Sequence, residues 1–475
     1  MKKDYANTPY EGTVNSFSKD GFGLASVPKP DGTQRIVEIP FTLPGDVVKF
    51  TYRNKRSGVS TGKLVEILQM APHRQQARCI HFGVCGGCRW QHIPYEQQLK
   101  IKQSRIEMLF SGIEIPSIVP CDPPWNYRNK MEFSFSQDAA GTHYLGLMME
   151  GSRGKVLNLK ECHLVDNWFV KSLDAIQEWW MESGLKAYHP HSNSGSLRTL
   201  TLREGLRTGD RLIMLTVSGN PDYALQKWHL ETFTAFLRAA IEPISPDVNL
   251  SIFLRIQQAV KGQATQFYEM HLYGSDHIRE VLNIQTTKDG PTEPLVFTIS
   301  PSAFFQPNPR QAEKLYSLAL QMLNLQPGSV IYDLYCGTGT LGICAAHIAK
   351  QVIGVELSPE SALDARTNVA NNKLKNIEIV TGSVADVMKK ICEEKTYPMP
   401  HAVMVDPPRA GLDPQTLQHL ISLRPPKILY ISCNPSTQAE NISVLKEAGY
   451  KVQAVQPVDQ FPHTIHIENI VLLSL

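Results

Sequence analysis

Short runs of alternating apolar and polar residues fill the first part of the chain, between about residues 10 and 69. Turn signals such as Asp20-Gly21 separate these runs. Several short strands at this spacing are typical of a small β-barrel or sandwich. The pattern therefore predicts a first domain, a small β-barrel, over residues 1–70.

The hydrophobic pattern changes after about residue 312, where apolar strand-like runs alternate with helical stretches. The predicted strands are 330–335, 352–356, 377–380, 402–405 and 428–432. Intervening segments such as 360–372 have helical periodicity, so we predict a doubly wound parallel sheet of the α/β class over a domain at 291–475.

The region from 71 to 290 is less regular and is predicted to form a central α+β domain. It contains strand-like pieces at 197–203 and 211–218 and a Trp-rich, helix-like piece at 167–182. The chain of 475 residues is long enough for three such domains, since domains commonly hold about 100 to 200 residues.

Composition narrows the class of protein. With 42% hydrophobic and 19% charged residues, the chain is neither disordered nor collagen-like. No apolar run approaches the roughly 18 residues of a membrane span, and no signal peptide opens the chain, so we expect a cytoplasmic protein without a membrane partner. We also expect a monomer. The odd count of 9 cysteines argues against a secreted disulfide framework.

The net charge of +2 conceals an asymmetry along the chain. Residues 1–110 hold 16 Lys and Arg against 9 Asp and Glu, a net charge of +7, which leaves −5 for the remaining residues. A basic front of this kind is typical of proteins with a polyanionic partner.

A glycine-rich loop follows the first predicted strand of the C-terminal domain and opens a helical stretch. Gly337-x-Gly339-x-x-Gly342 is followed by Glu356, 19 residues after Gly337. This spacing satisfies the dinucleotide fingerprint, so an NAD-dependent oxidoreductase is one interpretation. Asp333, just before the loop, suits the cationic S-adenosylmethionine better than a pyrophosphate, which favours a methyl donor instead.

Two further motifs stand at predicted strand ends. Asp406 opens Asp-Pro-Pro-Arg, and Cys433 lies in Ser-Cys-Asn-Pro. Ligands of open α/β sheets bind outside the carboxyl ends of the strands, so both side chains are expected in the crevice that holds the cofactor. An isolated cysteine is more often a packing residue, but the polar Asn434 and Pro435 that follow favour a position at the mouth of the site.

A carboxylate near the C-terminus is a candidate base. Period-2 alternation before the apolar run 470–473 places Thr464, His466 and Glu468 on one face of a predicted strand. Glu468 is therefore expected to point into a cleft.

Three cysteines lie within ten residues at Cys79, Cys85 and Cys88, and Cys162 is the expected distant fourth ligand. Four thiolates suit either an iron-sulfur cluster or zinc, and the spacing alone does not choose between them.

Together these motifs resemble the RNA 5-methyluridine methyltransferase family, which uses S-adenosylmethionine. The resemblance rests on five motifs in the same order: Phe304-Phe305-Gln306-Pro307-Asn308, the Asp333 loop, Asp406-Pro407-Pro408-Arg409, Tyr430-Ile431-Ser432-Cys433-Asn434-Pro435 and Phe461-Pro462-His463-Thr464-x-His466-x-Glu468. It implies a class I Rossmann-like methyltransferase domain, an N-terminal TRAM (OB-like) barrel for RNA binding, and a central domain with a 4Fe-4S cluster.

The resemblance also implies residue roles. Cys433 would be the nucleophile that adds to uracil C6, and Glu468 the general base. Contacts to the cofactor would come from Gln306, Tyr335, Thr340, Glu356 and Asp406. The adenine contact stays open between Ser383 and Asp386. Cys79, Cys85, Cys88 and Cys162 would ligate the 4Fe-4S cluster.

An RNA partner follows from the same resemblance, with 23S ribosomal RNA the expected substrate and transfer RNA the alternative. A non-catalytic iron-sulfur RNA-binding factor is a further alternative. Expected phosphate contacts are Lys49, Arg53, Lys55 and Arg56, and expected base-stacking rings, if exposed, are Phe17, Phe22 and Tyr52.

Overall fold

A computed structural model describes residues 8–28, 32–56, 59–152, 154–243, 248–259 and 262–475, and only the backbone of residues 54–56. The side chains of Lys55 and Arg56, two of the expected phosphate contacts, lie outside the described residues. Within these ranges no helix combines the length and the apolar character that crossing a membrane requires.

The N-terminal unit is a closed five-stranded barrel in the order β1-β2-β3-β5-β4. Its strands are β1 (Pro9–Phe17), β2 (Gly23–Pro28), β3 (Gln34–Ile39), β4 (Val47–Arg56) and β5 (Val59–Gln69). Alternate residues, among them Val37, Ile39, Val48 and Phe50, fill its interior and are fully buried. The predicted small β-barrel is confirmed.

The barrel aromatics differ from the base-stacking expectation. Phe22 is buried beneath the guanidinium of Arg89, which lies 4.5 Å from the ring centre. Phe22 therefore does not meet the condition of exposure that the base-stacking expectation requires. Phe17 is half-buried against Trp90, and the half-buried ring of Tyr52 lies under Arg35.

A long helix and a seven-stranded sheet form the central region, which is α+β as predicted. Its elements are α1 (Tyr95–Leu109), β6 (Lys130–Gln137), β7 (His143–Met148), β8 (Val156–Asn158), α2 (Asn167–Ser183), β9 (Leu197–Glu204), β10 (Arg211–Ser218), a 3₁₀ turn (Pro221–Tyr223), α3 (Lys227–Ile241), β11 (Leu250–Gln258) and β12 (Gln266–Tyr273). The strand order is β12-β11-β10-β9-β6-β7-β8. The buried Trp179 and Trp180 of α2 pack with α3 on one face of this sheet.

A two-stranded hairpin, β13 (Ile278–Ile284) and β14 (Glu293–Ile299), connects the central and C-terminal regions. Its apolar face shares a core with the first helix and the sheet of the C-terminal region. Residue 290 lies in the connection between the two paired strands. The boundaries 1–70, 71–290 and 291–475 stay predictions.

The C-terminal region is a seven-stranded sheet covered by helices, in the order β17-β16-β15-β18-β19-β21-β20. Its elements are α4 (Pro309–Leu323), β15 (Val330–Leu334), α5 (Thr340–Ala346), β16 (Gln351–Glu356), α6 (Pro359–Asn371), β17 (Ile377–Thr381), α7 (Val384–Glu394), β18 (Ala402–Val405), α8 (Pro414–Leu423), β19 (Lys427–Ser432), α9 (Pro435–Glu447), β20 (Lys451–Val458) and β21 (Glu468–Ser474).

The five predicted strands are confirmed and run parallel, but the sheet as a whole is mixed. β21 pairs antiparallel with both β19 and β20. No helix connects β20 to β21, so the chain returns beside β20 in the opposite direction, as antiparallel hairpins do. The expectation of a wholly parallel sheet is corrected at this edge.

Candidate active site

The glycine-rich loop after β15 is tied to the end of β16. Gly337 and Gly339 have φ values of 56° and 80°, in the region that favours glycine. The N–H of Gly337 donates to Glu356 Oε2 at 2.9 Å, and the N–H of Ser358 donates to Oε1 at 2.8 Å. These bonds fix the Glu356 carboxylate beside the loop.

Asp333 is a buried carboxylate with an unsatisfied oxygen. It is 1% exposed, and Oδ2 has no hydrogen-bond partner among the described residues. Burial raises its pKa to about 8, a backbone hydrogen bond from Gly342 lowers it, and the charges of Asp406 and Glu356 raise it further. A Cβ at Gly342 would lie 2.7 Å from Oδ2, so a larger residue there would displace the carboxyl group. A buried acid with a free oxygen fits a site that receives a cationic ligand such as S-adenosylmethionine.

Two other predicted cofactor residues, Tyr335 and Thr340, belong to the same loop and the start of the helix after it, and Gln306 precedes α4. Tyr335 has a φ of 65°, and its hydroxyl donates to Asp413 Oδ2 at 3.3 Å. Thr340 is buried at the start of α5, and the buried Gln306 accepts from Gln460 Nε2 at 3.3 Å.

The two candidates for the adenine contact lie together at the start of α7. Ser383 caps the helix, and its hydroxyl donates to Asp386 Oδ2 at 2.6 Å. Both residues therefore belong to one hydrogen-bonded turn.

Strand pairing brings the predicted nucleophile and base together. Ser432, the last residue of β19, pairs with Asn469 of β21. Cys433 is the next residue after β19, and Glu468 is the first residue of β21, so the two lie one step further along the same antiparallel register. Asp406 follows β18, the neighbouring strand, and completes a cluster at one edge of the sheet.

The chain before Glu468 is not the strand that the alternation predicts. Residues 460–465 bend and turn, with the Thr464 N–H donating to the Phe461 carbonyl at 3.3 Å, and His463 has a φ of 63°. The prediction that Thr464, His466 and Glu468 share a strand face is wrong, because a turn, rather than an extended chain, delivers Glu468 to the site.

The electrostatics of this cluster are dominated by buried acids. Burial raises the pKa of Cys433 to about 11, and the charges of Glu468 and Asp406 add to the effect, while Arg409 opposes it. Burial raises the pKa of Asp406 to about 7. Glu468 is 3% exposed, and burial and the Asp406 charge hold its pKa well above the usual value. Two neighbouring buried carboxyls do not both ionise readily, so the site can hold a proton.

One residue of this site was missed by sequence reasoning. Tyr316 on α4 is buried beside Gln306, and burial and the charge of Asp406 raise its pKa well above the usual value. It lies on the apolar stripe of a helix, where a tyrosine is indistinguishable from an ordinary core residue.

The four predicted ligand cysteines line a single cavity of about 260 Å³, which we call the cysteine cavity. All four thiols are free, and His81, Glu161 and Arg128 lie around them. Within the described ranges no three His, Cys, Asp or Glu side chains form a group that could hold a metal ion. The 4Fe-4S cluster therefore stays a prediction.

Comparison with known proteins identifies the family. A family model described as tRNA (Uracil-5-)-methyltransferase matches residues 264–475. An uncharacterised RNA methyltransferase of Protochlamydia amoebophila is 54% identical over 444 residues, covering 92% of this chain and 100% of that protein. A second one, from Bacteroides thetaiotaomicron, is 31% identical and covers 93% of this chain and 97% of its own length.

A solved structure agrees with these matches. The Pyrococcus abyssi tRNA (uracil-54, C5)-methyltransferase in complex with S-adenosyl-L-homocysteine has a TM-score of 0.74 and 25% identity, covering 98% of this chain and 99% of that one. The chain therefore belongs to the RNA 5-methyluridine methyltransferase family and is an S-adenosylmethionine-dependent RNA methyltransferase.

Proposed function

We propose that the protein methylates C5 of a specific uridine in ribosomal RNA through a covalent Cys433 adduct. The observation that carries this proposal is the Ser432–Asn469 pair of β19 and β21, next to which lie Cys433 and Glu468, close enough for the Glu468 charge to raise the pKa of Cys433. Because the chain belongs to a family of RNA methyltransferases, it is neither an NAD-dependent oxidoreductase nor a non-catalytic RNA-binding factor.

In the proposed mechanism the Cys433 thiolate adds to C6 of uracil, and the electron pair of the C5–C6 bond moves toward C5 and the C4 oxygen. C5 then accepts the methyl group. Glu468 next takes the C5 proton, the C5–C6 double bond re-forms, and the C6–S bond breaks to release the thiolate. Covalent addition is needed because uracil C5 alone is a weak nucleophile, and it replaces one difficult step with easier ones.

The raised pKa values define what the site must do before addition. A Cys433 pKa of about 11 means that the thiol is mostly protonated at neutral pH, so a neighbouring group must receive its proton or stabilise its charge. Arg409 favours the thiolate. Burial and the Asp406 charge raise the pKa of Glu468, which makes its carboxylate a stronger base for the C5 proton.

Bound S-adenosylmethionine would supply the methyl group and a positive sulfonium. Gln306, Tyr335, Thr340, Glu356 and Asp406 are the residues proposed to hold it. Support comes from the unsatisfied Asp333 carboxylate under the loop and from the fixed orientation of Glu356 beside it.

We further propose that the cysteine cavity holds a 4Fe-4S cluster through Cys79, Cys85, Cys88 and Cys162. The proposal rests on the Cys-x5-Cys-Gly-Gly-Cys motif and on the common cavity that the four thiols line. The basic front and the barrel would bind RNA phosphates, with a strong dependence of affinity on salt.

Transfer RNA is the second candidate substrate, favoured by the similarity to the Pyrococcus abyssi tRNA (uracil-54, C5)-methyltransferase. The deciding experiment is mass-spectrometric mapping of 5-methyluridine in ribosomal and transfer RNA from a deletion strain. Loss of one ribosomal 5-methyluridine, restored by the purified protein on a matching transcript, is expected. If 5-methyluridine is lost only from transfer RNA, then transfer RNA is the substrate. Unchanged 5-methyluridine in both RNAs would refute the proposal.

A further inference from the structure

Helix α1 buries an unusual set of side chains. A helix normally packs an apolar stripe against the core, whereas α1 buries Gln98 (0% exposed) and Lys102 (1% exposed), with Ile106 one turn later. Burying an amide or an ammonium group costs free energy unless each polar atom finds a partner. The partners of these side chains are therefore informative.

Lys102 makes its contacts with a segment more than 350 residues away in sequence. Its Nζ donates to Asp459 Oδ1 at 2.6 Å and to the Phe461 carbonyl at 3.1 Å. Both charged side chains are fully buried. Tyr95, at the start of α1, donates to the other oxygen of Asp459 at 2.8 Å.

Gln98 binds the next part of the same segment, at His463. Its Oε1 accepts from the His463 N–H at 2.8 Å, and its Nε2 lies 3.2 Å from His463 Nδ1. His463 is in the left-handed region with a φ of 63°, which costs free energy for a residue with a side chain. The Gln98 bonds help to hold this turn.

Two other N-terminal elements contact the same segment. The N–H groups of Arg89 and Trp90 donate to the His463 carbonyl at 3.0 and 3.2 Å. The barrel turn at Gly21 packs so closely on Ile465 that a Cβ there would overlap it. Residues 459–468, which we call the base segment, are thus held from the front of the chain and end at Glu468.

We propose that Gln98 and Lys102 of α1, with Asp459, are positioning residues that place Glu468 for removal of the C5 proton. This inference rests on the proposed function. The family match begins at residue 264, so the base segment belongs to the matched part while the side chains that hold it do not. An apolar stripe could cover the same surface without the cost of buried polar groups, so the bonds serve geometry rather than stability.

A misplaced base segment should affect one step of the reaction, the release of the covalent adduct. Addition of Cys433 depends on the end of β19, whereas release of the adduct needs the Glu468 carboxylate aligned with the C5–H bond. The bonds from Gln98 and Lys102 to Asp459, Phe461 and His463 all end in the base segment. Misplacement of a reacting group by about 1 Å can slow a step roughly 100-fold. The covalent RNA adduct should therefore accumulate when the base segment loses its supports.

The test uses the full-length protein, a uridine-containing transcript and single-turnover conditions, with adduct followed on denaturing gels. Gln98→Met removes the bonds to His463 with similar side-chain volume. The double variant Lys102→Met/Asp459→Leu replaces both members of the ion pair and keeps the interior free of an unpaired charge. Ile106→Val, on the same buried face of α1, is the matched control for weaker packing alone.

We expect both test variants to form adduct at a rate within about twofold of wild type and to release it roughly 10- to 100-fold more slowly. The KM for RNA should be unchanged while kcat falls, and Ile106→Val should behave as wild type. Normal release in a folded test variant, or equal slowing of formation and release, would overturn the inference. Absence of any adduct with the wild-type protein would instead refute the proposed function.

Discussion

Two sites in this protein contain cysteines whose pKa values are raised by burial, but the side chains around those cysteines differ. At the sheet edge, burial raises the pKa of Cys433 to about 11. In the cysteine cavity, burial likewise raises the pKa of Cys85 to about 11 and that of Cys88 to about 12. The direction of the pKa shift thus does not distinguish the proposed nucleophile from the proposed metal ligands.

The neighbours make the distinction. Cys433 stands as a single thiol with Glu468, Asp406 and Arg409 beside it, which are groups that can receive, hold or stabilise charge. Cys88 lines the cysteine cavity together with Cys79, Cys85 and Cys162. A lone thiol among proton-transfer groups suits covalent catalysis, whereas four cysteines that line one cavity are the basis for the proposed cluster.

The largest expected effect is at the sheet edge. Cys433→Ala should lower methyl transfer on the order of 10⁴-fold or more, because the adduct cannot form. Methyl incorporation into a substrate transcript measures this loss. Cys392→Ser, a remote half-buried cysteine on α7, is the control and should keep full activity. Substantial turnover by Cys433→Ala would remove Cys433 from its role.

Glu468→Gln should slow turnover roughly 10²- to 10³-fold through the release step alone. The amide keeps the shape of the side chain but cannot accept the C5 proton, so a stable protein–RNA adduct should accumulate. Gel analysis of single-turnover reactions measures formation and release separately. Fast release by this variant would contradict the assignment of the base.

Cys88→Ser tests whether the cysteine cavity holds the proposed cluster. The anaerobically purified wild-type protein should contain about four iron atoms per chain, and the variant should contain close to none, because a serine hydroxyl is a poor ligand for this cluster. Iron analysis and visible absorption measure the change. Cys433→Ala should retain its iron. An iron-free wild-type protein would refute the cluster.

Arg409→Ala should have the smallest effect. Arg409 lowers the pKa of Cys433, so its removal should raise that pKa further above about 11 and reduce the thiolate fraction at any given pH. A change of one pKa unit would slow adduct formation about tenfold at pH 8. The pH profile of adduct formation should shift upward, with Lys446→Ala as the control. An unshifted profile would show that Arg409 does not tune the thiol.

The strands of the C-terminal domain could be predicted because apolar runs of four to six residues with turn signals between them leave little ambiguity. The loop at Gly337 and the strand-end positions of Asp406 and Cys433 follow from that pattern. The reversed strand β21 could not be predicted, since its apolar sequence is compatible with either direction.

The hydrogen-bond partners of buried polar side chains could not be predicted from the sequence, because they lie far away along the chain. Gln98 and Lys102 have the composition of a solvated helix face, and only long-range contacts with Asp459 and His463 explain their burial. Phe22 shows the reverse case, because a ring that could meet bases if exposed is buried beneath Arg89.

The most direct test of the central claim is peptide mapping of the full-length protein after incubation with S-adenosylmethionine and RNA containing 5-fluorouridine, which blocks the release step. We expect one crosslinked peptide, with the nucleotide attached to Cys433. A crosslink at another cysteine, or none with an RNA whose uridine counterpart is methylated, would contradict it.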